Sequence, residues 1–273
     1  TVIGCDSGGS GGGSDFETVT SSSFSPMQAK NEDGNVIPLK WVYRVNNGEP
    51  IYSDTGEYQL GAVFDDIILT VEPATGKMKA DLRGQIIGNA QGTYQADVDE
   101  DFNFSGGKTL VNTSSINMQM DIAAEGGEGR VELDLLTTFS PPAEWFLDRD
   151  DLDELAIGYV YDAQEMVTAD VSGSFDITGL DTIDIDFTSY IADSWEITGK
   201  QDTITVRGKT YTNIVEVTRQ TEVPTADGSG TEDATIVYWV AKGIGWVKAL
   251  GHFRFQEEPL YIELIETILF AAN

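Results

Sequence analysis

The amino-acid sequence predicts an all-β protein: a large curved antiparallel sheet, built as an open half-barrel or a sandwich, with one or two short helices. Three observations point there. Apolar residues recur at every second position over short stretches, the intervening positions are polar, and Gly, Asn-Gly or Asp-Gly turns separate the stretches. With 273 residues, 40% hydrophobic and 10% aromatic, the chain can bury a real core as one large β domain or two smaller ones.

Taken in order, Ser7 to Ser14 is Gly and Ser without periodicity, and residues 5–23 read as a flexible tether. Trp41, Tyr43 and Val45 then alternate with Val42 and Arg44, before the Asn47-Gly48 turn. Ile116, Met118, Met120 and Ile122 alternate with Asn117, Gln119 and Asp121, the cleanest strand in the chain. Val131, Leu133 and Leu135 alternate with Glu132 and Asp134. Ser140-Pro141-Pro142-Ala143-Glu144 breaks this pattern and predicts a helix through Leu147: a Ser N-cap, Pro in the first turn and Glu near the positive end of the dipole. A second short turn is expected over Asp148 to Leu155. Ile183, Ile185 and Phe187 resume the alternation, and Trp195-Glu196-Ile197 opens the last group of strands. The organisation is thus an N-terminal β half over 24–139, a short helical connection over 140–155, and a C-terminal β half over 156–273, continuous with the first as one domain.

Val2-Ile3-Gly4-Cys5 places a small residue before the single cysteine, directly ahead of the Gly/Ser tether. This resembles the lipobox of bacterial lipoprotein precursors, in which the signal peptide is cut before the Cys and the Cys becomes the lipidated first residue. The resemblance implies that residues 1–4 are a signal-peptide remnant and that Cys5 carries a lipid anchor. It also implies an address in the bacterial cell envelope, on the periplasmic face or at the cell surface. Val206-Arg207-Gly208-Lys209-Thr210-Tyr211 and Tyr238-Trp239-Val240-Ala241-Lys242-Gly243-Ile244-Gly245-Trp246-Val247-Lys248 resemble hairpins of uncharacterised bacterial envelope lipoproteins. Those are similar to the open half-barrel of lipoprotein-localisation carriers, whose concave side is apolar. The resemblance implies a concave face in which Trp41, Tyr43, Tyr238 and Trp239 meet an apolar ligand or partner segment.

Charge narrows the partners. Sixteen Lys and Arg against 46 Asp and Glu leave a net charge of -30, which repels nucleic-acid phosphates and anionic headgroups. Divalent cations and basic proteins remain compatible, and solubility alone also accounts for such a surface. No apolar run reaches the ~18 residues a spanning helix needs, so attachment to a membrane rests on Cys5. One cysteine excludes an intrachain disulfide.

Few residues offer chemistry. His252 is the single histidine, which removes multi-His zinc sites, and it alternates with aromatics as a strand residue. Gly106-Gly107-Lys108-Thr109 lacks the earlier glycine of a phosphate loop and reads as a turn. Asp97, Asp99 and Asp101 share one strand face but stand about 6.5–7 Å apart, too far to converge on an ion. Asp148, Asp150, Asp151 and Asp153 lie where regular strand pattern stops and form the candidate Ca²⁺ site; acids in a first helical turn are also favoured without metal. No other cofactor is implied. The function read from the sequence is a lipid-anchored, non-enzymatic envelope lipoprotein that binds an apolar ligand or partner segment. The alternatives are a structural, assembly or adhesion module with an acidic, Ca²⁺-binding surface, and a carboxylate-type glycoside hydrolase, which needs two acids facing each other across a cleft.

Overall fold

Period-two patterning, sustained over unusually long stretches, builds a single sheet. The computed structural model describes residues 38–53, 60–124, 127–162, 167–190, 193–224, 231–253 and 260–269. Sixteen strands form among them: β1 (Leu39–Val45), β2 (Ile51–Ser53), β3 (Leu60–Phe64), β4 (Ile67–Glu72), β5 (Lys77–Gly88), β6 (Gln91–Ser105), β7 (Lys108–Ala124) and β8 (Gly127–Arg149) in the first half. The second half supplies β9 (Val160–Asp162), β10 (Thr168–Ile177), β11 (Ile183–Tyr190), β12 (Asp193–Val206), β13 (Lys209–Pro224), β14 (Thr231–Ala241), β15 (Gly245–Phe253) and β16 (Leu260–Leu269).

All pair antiparallel, in the order β11-β10-β8-β7-β6-β5-β4-β1-β16-β15-β14-β13-β12-β9, with β2 and β3 attached beside β5. The end strands β11 and β9 do not pair with each other, so the sheet is open. Tight turns link the long hairpins. Gly106 and Gly107 turn β6 into β7 with φ of 60° and 76°, and Arg207-Gly208 turns β12 into β13 with φ of 48° and 80°. Two successive positive φ values define the turn type whose twist matches antiparallel strands, which is why Gly-Gly-Lys sits there and not in a phosphate loop.

Register carries the two faces across the sheet. Ala96, Met118, Leu133, Phe175 and Ile183 are successive cross-strand partners from β6 to β11. One position along, Asp97, Asn117, Asp134, Ser174 and Asp184 are likewise successive partners. Adjacent residues in a strand point to opposite faces, so one face is apolar and the other acidic.

The core lies where this sheet curls onto β1, β4 and β12–β16. One cluster gathers Leu39, Trp41, Tyr43, Val71, Met78 and Phe102 with Val206, Ile214, Val247 and Leu264. A second holds Phe146, Leu147, Leu152, Trp195, Ile197 and Val217, and Trp145 packs against both.

The helix expected over 140–147 is not there. Residues 140–149 continue β8, and Asp150 to Glu154 make turns closed by Glu154 N–H donating to Asp151 O at 2.8 Å. Within described residues the single helical feature is the 3₁₀ turn Asn46–Gly48. The prolines sit instead in a register break. Between the pairs Thr113↔Thr138 and Val111↔Ala143, residues 139–142 of β8 stand opposite Asn112 alone. Pro141 and Pro142 lack N–H groups, and at this position no ladder bond to β7 is required of them. A second break between Leu110↔Glu144 and Lys108↔Arg149 loops 145–148 out against Thr109. Phe146, Leu147, Asp148 and Arg149 are consecutively buried, so this segment is covered on both faces as a plug of the interior.

Candidate ligand-binding site

Above this plug the concave face opens into a cavity of about 720 Å³. Ile67 and Leu69 of β4, Met78, Ala80 and Leu82 of β5, Val98 of β6 and Val111 of β7 form an apolar wall. Each sits there through simple alternation, as inward positions of paired strands. Tyr43, Trp246, Trp145 and Leu147 make the floor, where the Tyr43 and Trp246 rings stack 3.8 Å apart at 4°. The opposite wall comes from Asp193, Trp195, Arg219 and Tyr238, and Ser189 and Tyr190 of the end strand β11 reach the rim.

The polar groups on this lining are mostly committed to each other. Arg219 Nη2 donates to Asp193 Oδ2 at 2.6 Å and its guanidinium lies 5.1 Å from the Trp195 ring centroid. Burial works against the Arg219 charge, but Asp193 and Tyr238 outweigh it and raise its pKa. Burial pushes the Tyr238 phenol up, with Arg219 offsetting part of the effect. Glu144, only 4% exposed at its side chain, accepts from Lys108 Nζ and Arg149 Nη1, both at 2.8 Å. Glu100 differs. It is the inward residue between Val98 and Phe102 on β6, cross-strand from Met78 on one side and Ser114 on the other. Ser114 Oγ donates to it at 3.4 Å, and burial lifts its carboxyl from 4.5 to about 7 against the smaller opposing effect of that bond.

Of the aromatic residues expected to meet a ligand, Tyr43 and Tyr238 line the cavity and two do not. Trp41 is not among its lining residues and packs in the core behind it, where Nε1 donates to Ile244 O at 2.7 Å. Trp239 follows Tyr238 along β14 and so faces away, with Lys248 Nζ 5.2 Å from its ring centroid. Strand alternation, applied strictly, separates 238 from 239.

The candidate Ca²⁺ carboxylates are not brought together. Asp148 is buried and accepts the Thr109 hydroxyl. Asp151 accepts from Arg149 Nε and Nη2 at 2.7 and 2.8 Å, and Asp153 from Lys242 Nζ at 2.6 Å. Asp150 packs its carboxyl where Gly107 has no Cβ. Each acid is aimed at a different neighbour, Asp148 at Thr109 of β7 and Asp153 at Lys242 in the turn after β14. Among the described residues no group of three or more His, Cys, Asp or Glu side chains could hold a metal ion. Asp97 and Asp101 face outward with Lys79 and Lys77 beside them, as the strand spacing implies. His252 pairs with Thr235 along β15, and its side chain lies outside what is described. Cys5 and the tether also lie outside the described residues, among which no helix is long and apolar enough to cross a membrane.

Sequence reasoning missed Glu100, Asp193 and Arg219. The signal for Glu100 was present: in Asp97 to Phe102 the odd positions are acids and the even ones Val, Glu and Phe, so Glu100 is an acid on the apolar face.

No protein family and no curated protein matches the chain. Among solved structures it is similar to the crystal structure of a β-barrel-like protein of domain of unknown function DUF1849 from Brucella abortus. The two are 10% identical, with 86% of this chain and 98% of that one covered and a TM-score of 0.42.

Proposed function

We propose that the chain is a non-enzymatic envelope lipoprotein that holds an apolar ligand in its concave face, anchored to a membrane by lipid at Cys5. The open cavity of about 720 Å³ with its wall of Ile67, Leu69, Met78, Leu82, Val98 and Val111 carries this reading. Small-molecule sites run to about 300–1,000 Å³ and combine mostly apolar walls with a few placed polar groups. A chain of ten methylenes buried there gains about 8 kcal/mol of transfer free energy, before the ordering cost of association. The anchor rests on Val2-Ile3-Gly4-Cys5 and the tether that follows.

Titration with diphenylhexatriene, a neutral apolar dye that fluoresces when buried, tests the cavity. The wild-type chain should bind it saturably, and Val98→Trp, which fills the wall, should weaken binding at least tenfold with the fold intact by circular dichroism. Absence of saturable binding refutes carriage. Mass spectrometry of the native N-terminus tests the anchor, since an unmodified residue at Cys5 contradicts it.

One observation favours a second reading, an assembly module. The edge strand β11 exposes Ile183 at 56% and Phe187 at 52%, and beyond β10 it has no strand partner among the described residues. Such an edge is a template for pairing with another chain. Sedimentation velocity in which Phe187→Lys abolishes a concentration-dependent oligomer supports this role, and a monomer at all concentrations removes it.

A further inference from the structure

We propose that Glu100 is the headgroup-recognition residue of the cavity, and that the ligand is an apolar chain ending in a hydrogen-bond donor, an alcohol or an amine, in preference to a carboxylate or phosphate. This rests on the concave face being an apolar-ligand site.

Position comes first. Val98 and Glu100 are both inward residues of β6 and both line the cavity, with Met78 and Ala80 across from them on β5. A chain lying on that wall runs directly onto the Glu100 carboxyl. Hydrogen-bonding capacity comes second. A carboxylate offers about four acceptor sites, and Ser114 Oγ supplies one donor, at the long distance of 3.4 Å. A ligand hydroxyl or ammonium would supply another where water is scarce, and such charge-assisted bonds are among the strong ones.

The remaining charges on the lining decide the sign. Arg219 is the cation among the described lining residues, and Asp193 already holds it at 2.6 Å. Glu144 is matched by Lys108 and Arg149. An anionic headgroup entering here meets Glu100 and displaces an existing ion pair to find a counter-charge. A neutral or cationic donor meets an acceptor without breaking anything.

The test uses the full chain, with bound diphenylhexatriene displaced by decanol, decylamine or decanoate at one ionic strength and about pH 8, where all carboxylates are ionised. Decanol and decylamine should each displace the dye at about tenfold lower concentration than decanoate. Glu100→Gln should shrink that preference to within about threefold. Asp97→Asn, which removes the same charge from the outward face of the same strand, should leave it intact; this separates a local contact from the net charge of -30. Decanoate displacing as well as decanol in the wild-type chain overturns the assignment, whatever the variants do. So does an undiminished preference in Glu100→Gln, or an equal loss in Asp97→Asn. Failure of the dye itself to bind overturns the cavity reading along with it.

Discussion

Replacing Glu100 with Gln should stabilise the fold at neutral pH, and the size of the effect should depend on pH in a defined way. Burial raises the Glu100 pKa from 4.5 to about 7. Between those values the folded chain holds a proton that the unfolded chain has released, so the fold loses stability as pH rises. The contribution is fully present below about pH 4.5, and has been lost by about pH 7. The interval, at about 1.4 kcal/mol per pH unit, amounts to about 3 kcal/mol. Glutamine is neutral throughout and still accepts from Ser114. The difference between variant and wild type should therefore be near zero at about pH 4 and grow to about 3 kcal/mol in favour of the variant at about pH 8. Urea unfolding followed by tryptophan fluorescence measures it, and taking the difference cancels the titration of the other acids. A constant difference across pH would refute the reasoning, as would a variant less stable than wild type at pH 8.

Three further substitutions probe the fold itself. Tyr94 has a buried hydroxyl with no hydrogen-bond partner among the described residues, packed against Gly84 across the β5–β6 pair. Tyr94→Phe should therefore raise the urea midpoint, by about 1 kcal/mol of stability at unchanged slope, and a loss would show that the hydroxyl is paired in solution. Phe146, fully buried with Tyr161 and Trp195 centroids at 5.5 and 5.7 Å, anchors the plug. Phe146→Ala should cost about 3–5 kcal/mol in the same assay, and a cost below about 1 kcal/mol would mean the plug is dispensable. Thr109→Val removes the buried hydroxyl that donates to Asp148 and should cost about 1–3 kcal/mol, with the loss partly reversed when Asp148→Asn is added; no reversal would locate the cost elsewhere.

What was legible in the sequence was what depends on neighbours along the chain. Ile116, Met118 and Met120, Val131, Leu133 and Leu135, and Ile183 and Ile185 were each read as one face of a strand, and the register shows them to be one continuous surface. The Ser140-Pro141-Pro142 segment failed because its cap signals are real but local, while its conformation is set by a register break against β7 that no local pattern announces. At Asp148 and Asp153 the side-chain partners are likewise non-local. That strand structure ends there was readable, and β8 does end at Arg149. The partners that divert the acids, Thr109 and Lys242, stand 39 and 89 residues away. For the cavity, Tyr43 and Tyr238 were found by their aromatic, alternating context. Arg219 and Asp193 were hidden because nothing in a strand's own sequence says which sheet edge curls to face it.

The excess of acid also has a positional logic. From β6 to β11 along the outer face, Asp97, Asp134 and Asp184 are separated by Asn117 and Ser174, so no two of these three acids are direct cross-strand neighbours. Like charges directly opposite are destabilising, and this spacing avoids them. At two places where acids do meet directly, a base or a hydroxyl stands beside them. Asp81 is opposite Asp97, with Arg83 at 3.0 Å from the first and Lys79 at 3.6 Å from the second. Glu132 is opposite Asp176, with Arg130 at 3.6 Å from Glu132 and the Thr182 hydroxyl donating to Asp176. With 16 bases for 46 acids, several of the few cations are thus placed at collisions within the sheet. The outer face therefore repels copies of itself while its ladder stays intact, and the accessible apolar side chains lie instead along the concave side and the β11 edge. Glu100 stands apart from this scheme, an acid turned inward with Ser114 rather than a base beside it, and that placement costs stability that a purely structural residue would not.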